Sequence, residues 1–161
     1  MRTALVSVVL GLAVLVAAGV AAAQAPPAYG PAITLEVAKK AMAAAEAEAK
    51  KNNWPVAICI LDSSGHIVLL QRQDNTQFGS VEVARQKAWS AVAFRRPSKV
   101  FQDGVAGGGA GLRLLGLEGA SVLEGGLPIM ADGKVIGAIG VSGVTGEQDS
   151  IVATAGRDAA K

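Results

Sequence analysis

Cysteine is all but missing from this 161-residue chain: Cys59 stands alone, so no internal disulfide can form and a thiolate metal cluster has no ligands. Histidine is as scarce, with His66 the only one. Aromatic residues make up 4% of the sequence, and Trp89, Phe94 and Phe101 read as core side chains rather than stacking platforms. Neither sign of charge dominates. Fifteen basic against 13 acidic residues leave a formal charge of +2, which provides no basic field for nucleic acid. Catalytic and phosphate-binding signatures are lacking as well. No Gly-x-Ser-x-Gly elbow occurs, and Gly140-Val141-Ser142-Gly143 has the wrong spacing, so a Ser-His-Asp acyl-transfer site is not encoded. The Gly107–Gly111 run lacks the Gly-Lys-Ser/Thr ending of a phosphate loop.

Long hydrophobic runs are confined to one place, Ala4–Ala23, preceded by Arg2 and followed by Ala23-Gln24-Ala25. A positive start, an apolar stretch and an A-x-A end together predict a secretory signal peptide over 1–25, cleaved after Ala25; an uncleaved membrane anchor is the competing reading. Without twin arginines the general secretory route is expected, delivering a secreted or periplasmic protein. Residues 26–161 then suit one domain of ordinary size. Cys59, inside the apolar run Val56–Leu61, reads as a buried, inert thiol.

Pro26–Pro31 predicts a short flexible leader over 26–33, after which Thr34 caps a helix with Glu36 in its first turn. Leu35, Ala38, Met42, Ala45 and Ala49 recur at steps of three and four and form its buried stripe; Glu36/Lys40 and Glu46/Lys50 are i,i+4 pairs on the other side. Val56–Leu61 is apolar on both faces, as in a central strand, and Asp62-Ser63-Ser64-Gly65 turns the chain into a second strand, His66–Gln71. Ser80 is expected to cap a helix that ends at Arg95-Arg96-Pro97, with a further helical turn over 98–105. Gly107–Gly111 is too glycine-rich for regular structure unaided. Leu127–Met130 and Val135–Val141 flank Asp132-Gly133, a strong hairpin signal. Thr145–Gln148 is a capping box opening a last helix, with Glu147 and Asp149 as first-turn acids. The order predicts a single-domain α+β fold with an antiparallel, hairpin-joined sheet.

Four cations, Arg72, Lys87, Arg95 and Arg96, lie at or beyond the ends of predicted elements. They either converge on the carboxylates of a ligand or are solvated charges. Gly125 and Gly126 remove side chains where a backbone or a flat ligand comes close. His66, at the mouth of a hairpin, is either a metal or haem-iron ligand or an ordinary turn residue.

Four segments taken in order, LDSSGHIVLLQRQD, GSVEVARQKAWSAVAFRRPSKVF, GGAGLRLLGLEGASVLEGGLPIMADGKVIGAIGVSG and EQD, resemble the GlcG/HbpS family from about Thr34 to the C-terminus. The resemblance implies a profilin-like α+β domain that assembles into homo-oligomers and binds haem or a related tetrapyrrole. It also implies kinship with extracellular haem binders linked to redox sensing, in a family described as haem-degrading. On it rest Arg72, Lys87, Arg95, Arg96, Gly125 and Gly126 as pocket candidates and His66 as iron ligand. Two departures stand out. Arg72-Gln73-Asp74 replaces the usual Arg-Met-Asp, so a thioether is lacking at 73, and Ser98 replaces Thr after Arg95-Arg96-Pro97. The expectations are a secreted haem binder for sequestration or sensing, with no stable membrane insertion once the signal is cleaved. The rivals are an enzyme of haem breakdown or of small organic acids, and an oligomeric structural module.

Overall fold

The computed structural model describes residues 25–160. All of the predicted signal peptide except Ala25 lies outside the described residues. Among the described residues, no helix is long and apolar enough to cross a membrane. In chain order the elements are α1 Leu35–Lys51, β1 Ala57–Asp62, β2 Ile67–Arg72, α2 Gly79–Phe94, α3 Lys99–Ala106, a 3₁₀ segment Gly109–Gly116, β3 Gly126–Ala131, β4 Lys134–Ser142 and α4 Gly146–Ala159.

The four strands form one antiparallel sheet in the order β2-β1-β4-β3. β1, apolar on both faces, takes a central place because each face is covered. Ile58 and Ile60 point into a core made with α1 and α4, while Ala57, Cys59 and Leu61 point into a second core made with α2. Burying an Ile or Leu completely, as at Ile58, Ile60, Leu61, Ile129 and Ile139, contributes roughly 1.5–3 kcal/mol each. The result is the three-layer α+β domain expected of a profilin-like chain, with α1 and α4 on one side of the sheet and α2 on the other. Small residues bring the layers close. Gly140 of β4 lies against Ala84 and Ala88 of α2, and Gly156 of α4 lies against α1 at Ala41 and Ala45.

Several local expectations hold at the atomic level. Thr34 accepts from the Val37 amide, and Thr145 and Gln148 form the reciprocal capping box of α4. Asp132 and Gly133 both take positive φ, 48° and 72°, in the two-residue turn between β3 and β4.

Other expectations change. The leader predicted to be flexible is docked. Val135 donates to the Ala28 carbonyl, Gly30 to the Val135 carbonyl and Ile33 to the Ile136 carbonyl, all at 2.8–2.9 Å, so the segment pairs with β4 where β1 has already ended. Unpaired strand groups attract such a partner, and Ile33, only 5% exposed, is its apolar anchor. Ser80 does not cap α2. The helix already includes Gly79, and Ser80 is wholly buried, accepting from Gln77 Nε2 at 3.0 Å and from the Ser142 hydroxyl at 3.3 Å across the layer. Leu35 leaves the buried stripe of α1, where Ala41 stands instead. The glycine-rich stretch gains 3₁₀ structure over 109–116 because it rests on α3, Leu114 lying over Gly104.

Candidate functional site

Two of the predicted cations come together at the C-terminal end of α2. Arg95 closes that helix in the left-handed conformation, φ 54°, with its amide and that of Arg96 returning to the carbonyls of Val92 and Ala91. A residue with a Cβ resists this conformation, by about 1–2 kcal/mol, and here it turns the Arg95 side chain toward the N-terminal segment. Its guanidinium lies 5.1 Å from the Tyr29 ring centre, and Nη1 donates to the Pro27 carbonyl at 3.1 Å. Arg96 is exposed, with Nε donating to the Phe94 carbonyl. Together the two arginines line a cleft of about 610 Å³ with Ala25, Pro26, Pro27, Val100 and Gly133. Its wall is apolar and its charge is entirely positive, an arrangement that recognises carboxylates attached to a greasy body.

Lys87, Gly125 and Gly126 also come together, but in the interior. The Lys87 ammonium donates to Asp149 Oδ2 at 2.7 Å and to the Val141 carbonyl at 2.9 Å, with both side chains of the ion pair at most 3% exposed. Burial pushes the Asp149 carboxyl above its ordinary value, and the neighbouring ammonium opposes that shift. A Cβ at Gly125 would stand 2.9 Å from Asp149 Cβ and 3.0 Å from Lys87 Nζ; one at Gly126 would run into the Lys87 carbonyl. These glycines seal α2 and α4 together over a buried charge pair. Ser98 completes the seal by accepting from the Gly126 amide at 2.9 Å and donating to the Leu123 carbonyl at 2.7 Å.

His66 stands at the tip of the β1–β2 hairpin with its side chain 81% exposed and Nδ1 3.7 Å from Asp62 Oδ1. The turn is organised by that same carboxylate, which accepts from the Ser64 and His66 amides at 2.8 and 3.0 Å. The nearby cavity of about 260 Å³ is lined by Tyr29, Ser63, Ser64, Gly65, Trp89, Val92 and Ala93. Arg72 is exposed at the far end of the sheet, opposite Ala57, about 17 Å along the strand from the hairpin tip. Within one chain it does not join Arg95 and Arg96. Cys59 is fully buried, and burial pushes its thiol up to about 12, which makes it inert near neutrality.

Sequence reasoning did not single out Tyr29, which holds Arg95, or Asp149 as the partner of Lys87. Asp149 carried a weak signal, an acid close behind a capping threonine, which first-turn preference already explained. Tyr29 carried none, since its role depends on the leader docking.

Comparison with known proteins places this arrangement among relatives. The chain matches the family described as "Haem degrading protein HbpS-like" over residues 33–158. It is 38% identical to the GlcG protein of Escherichia coli K12 over 110 residues, 68% of this chain and 81% of that protein. The crystal structure of a double mutant of Streptomyces reticuli HbpS superposes with a TM-score of 0.73 at 31% identity, covering 88% of this chain and 96% of the other. A PduOC:heme complex superposes with a TM-score of 0.72 at 30% identity, covering 80% and 94%. By sequence and by fold, this chain belongs to the HbpS-like family.

Proposed function

We propose that this protein is an exported haem-binding protein that holds haem by its propionates at the Arg95–Arg96 cleft, serving sequestration or redox sensing. The observation that carries this reading is the pairing of two adjacent guanidinium groups with an apolar wall in one cleft, on a chain whose structural relatives include a haem complex. The residues suit the carboxylate edge of the macrocycle: Arg95 and Arg96 for the charges, and Val100 for the apolar body. Bound haem supplies an iron able to change oxidation state. The residues lining the cleft contain no imidazole, thiol or thioether, so the chain grips this group by charge and apolar contact. The exposed leucines of residues 112–123 favour assembly into a homo-oligomer.

Mixing the mature protein with hemin is expected to give a saturable Soret shift. Arg95→Gly, which suits the left-handed backbone, and Arg96→Ala are each expected to weaken binding about tenfold. His66→Ala is expected to leave the spectrum unchanged, because the ring stands outside the cleft lining; a lost band would assign His66 as the iron ligand. A spectrum equal to hemin with an inert carrier protein ends the reading altogether.

The family's description favours a second reading, oxidative breakdown of haem. Ascorbate added to the haem complex decides it: loss of the Soret band with release of iron supports breakdown, and an undiminished band supports binding alone.

A further inference from the structure

Arg95, read above as half of a carboxylate clamp, is already gripped by the chain's own N-terminal segment. Nη1 donates to the Pro27 carbonyl at 3.1 Å, and the charged plane lies 5.1 Å from the Tyr29 ring centre. Tyr29 in turn shares its hydroxyl proton between the carbonyls of Val92 and Ala93 in the last turn of α2, at 2.9 and 3.0 Å; the Val92 carbonyl also accepts from the Arg95 amide. Beyond this point the segment is tied to β4 through Gly30 and Ile33, and Ile33 is buried. Residues 26–29 have a lighter hold. They are exposed or half-buried, their one backbone bond to β4 is Val135 to Ala28, and Pro26 and Pro27 wall the cleft.

We propose that residues 26–29 are a strap that occupies Arg95 until a tetrapyrrole carboxylate displaces it, with Tyr29 as the residue that sets the position of the guanidinium. The inference rests on the reading of the Arg95–Arg96 cleft as the carboxylate site. Two-point capture of a carboxylate through both terminal nitrogens takes one N–H from each, and the Pro27 carbonyl now takes one of the two that Nη1 offers, holding the guanidinium toward the strap. A charged acceptor forms a stronger bond to it than a neutral carbonyl does. The strap can yield without unfolding the domain, because Ile33 and the Gly30 bond stay on β4 when residues N-terminal to them lift. The left-handed backbone at Arg95 fits the same account: it keeps the guanidinium aimed at the place where the strap and the ligand compete.

Tyr29 is the only tyrosine in the chain, so labelling with 3-fluorotyrosine yields a single ¹⁹F resonance. Metal-free protoporphyrin IX is the probe, since it carries both carboxylates and no paramagnetic iron, and its own fluorescence reports binding. On titration the ¹⁹F line is expected to move toward its position in the denatured protein, in step with porphyrin binding. Tyr29→Leu, which removes the ring and the hydroxyl, is expected to bind porphyrin about three- to tenfold more tightly. Arg95→Gly is expected to bind it at least tenfold more weakly, and its ¹⁹F line should start near the displaced position before any porphyrin is added. Binding with the line unmoved, or weaker binding by Tyr29→Leu, overturns the strap and leaves the carboxylate site standing. No porphyrin binding by the parent protein overturns both.

Discussion

Lys87 and Asp149 are 62 positions apart, yet their charged atoms meet at 2.7 Å out of reach of water. Removing one partner strands the other charge in the interior. Lys87→Met is therefore expected to lower unfolding free energy by about 3–5 kcal/mol in urea denaturation, and the double change Lys87→Met with Asp149→Leu to recover much of that loss. A single variant within 1 kcal/mol of the parent would show the pair to be energetically idle. This pair also marks how far single residues can be interpreted before folding. Local preference explained Asp149 as a first-turn acid and left Lys87 among four similar cations, because nothing in their spacing joins them. Gly125 and Gly126 were expected beside either another backbone or a flat ligand, and within this chain it is the protein interior that comes close. Which partner approaches depends on how α2 and α4 cross the sheet end, and the answer is the charge pair.

Helices, strands and tight turns were the most legible level, wherever the signal is local chemistry. The capping box at Thr145 and Gln148, the Asp132-Gly133 turn and the doubly apolar β1 each act through neighbours in sequence. Ser80 and the leader were misread for the opposite reason: a hydroxyl found partners across a layer, and a proline-rich stretch found an unpaired strand. The ion pairs within the helices behave as helix-surface chemistry predicts. A hydrogen bond from Lys50 lowers the Glu46 carboxyl below its ordinary value of 4.5, Asn52 and then Lys51 lower Glu48, and Arg85 lowers Glu82. A carboxyl whose value is depressed by folding contributes stability that is present above the ordinary value and is lost as pH falls through the depressed one. Tm is accordingly expected to hold between pH 7 and about pH 5 and to decline below the ordinary glutamate range. Added salt should shrink that decline, because the Lys50, Lys51 and Arg85 side chains of these pairs are exposed. A transition that falls between pH 7 and 6 instead would point to a different titrating group.

For the whole molecule, the domain and its layers follow from patterning, whereas the site depends on how distant parts meet. Arg95 and Arg96 were legible as a pair because they are adjacent in sequence. Arg72 was not separable from them until β2 placed it at the far end of the sheet. Much of the exposed apolar surface is concentrated between Val100 and Leu123, with Leu112, Leu115 and Leu117 each more than a third exposed, and Val100 belongs to the cleft as well. Apolar area of that kind favours association. Light scattering of the purified protein is expected to give a mass above that of one chain, and Leu112→Lys combined with Leu115→Lys to reduce it. A parent protein that scatters as a single chain would remove the assembly reading.

The order of the strands bears on how such a protein is made. β1 lies beside β4 in the finished sheet, so Ala57 must wait for Ser142 and Asp62 for Gly137 before the centre can close. A chain emerging from a ribosome therefore carries its most apolar strand open on one edge until nearly all of it has been synthesised. Pairings so remote in sequence slow folding. A late-closing sheet of this kind leaves its central edge open to pairing with other chains for most of synthesis.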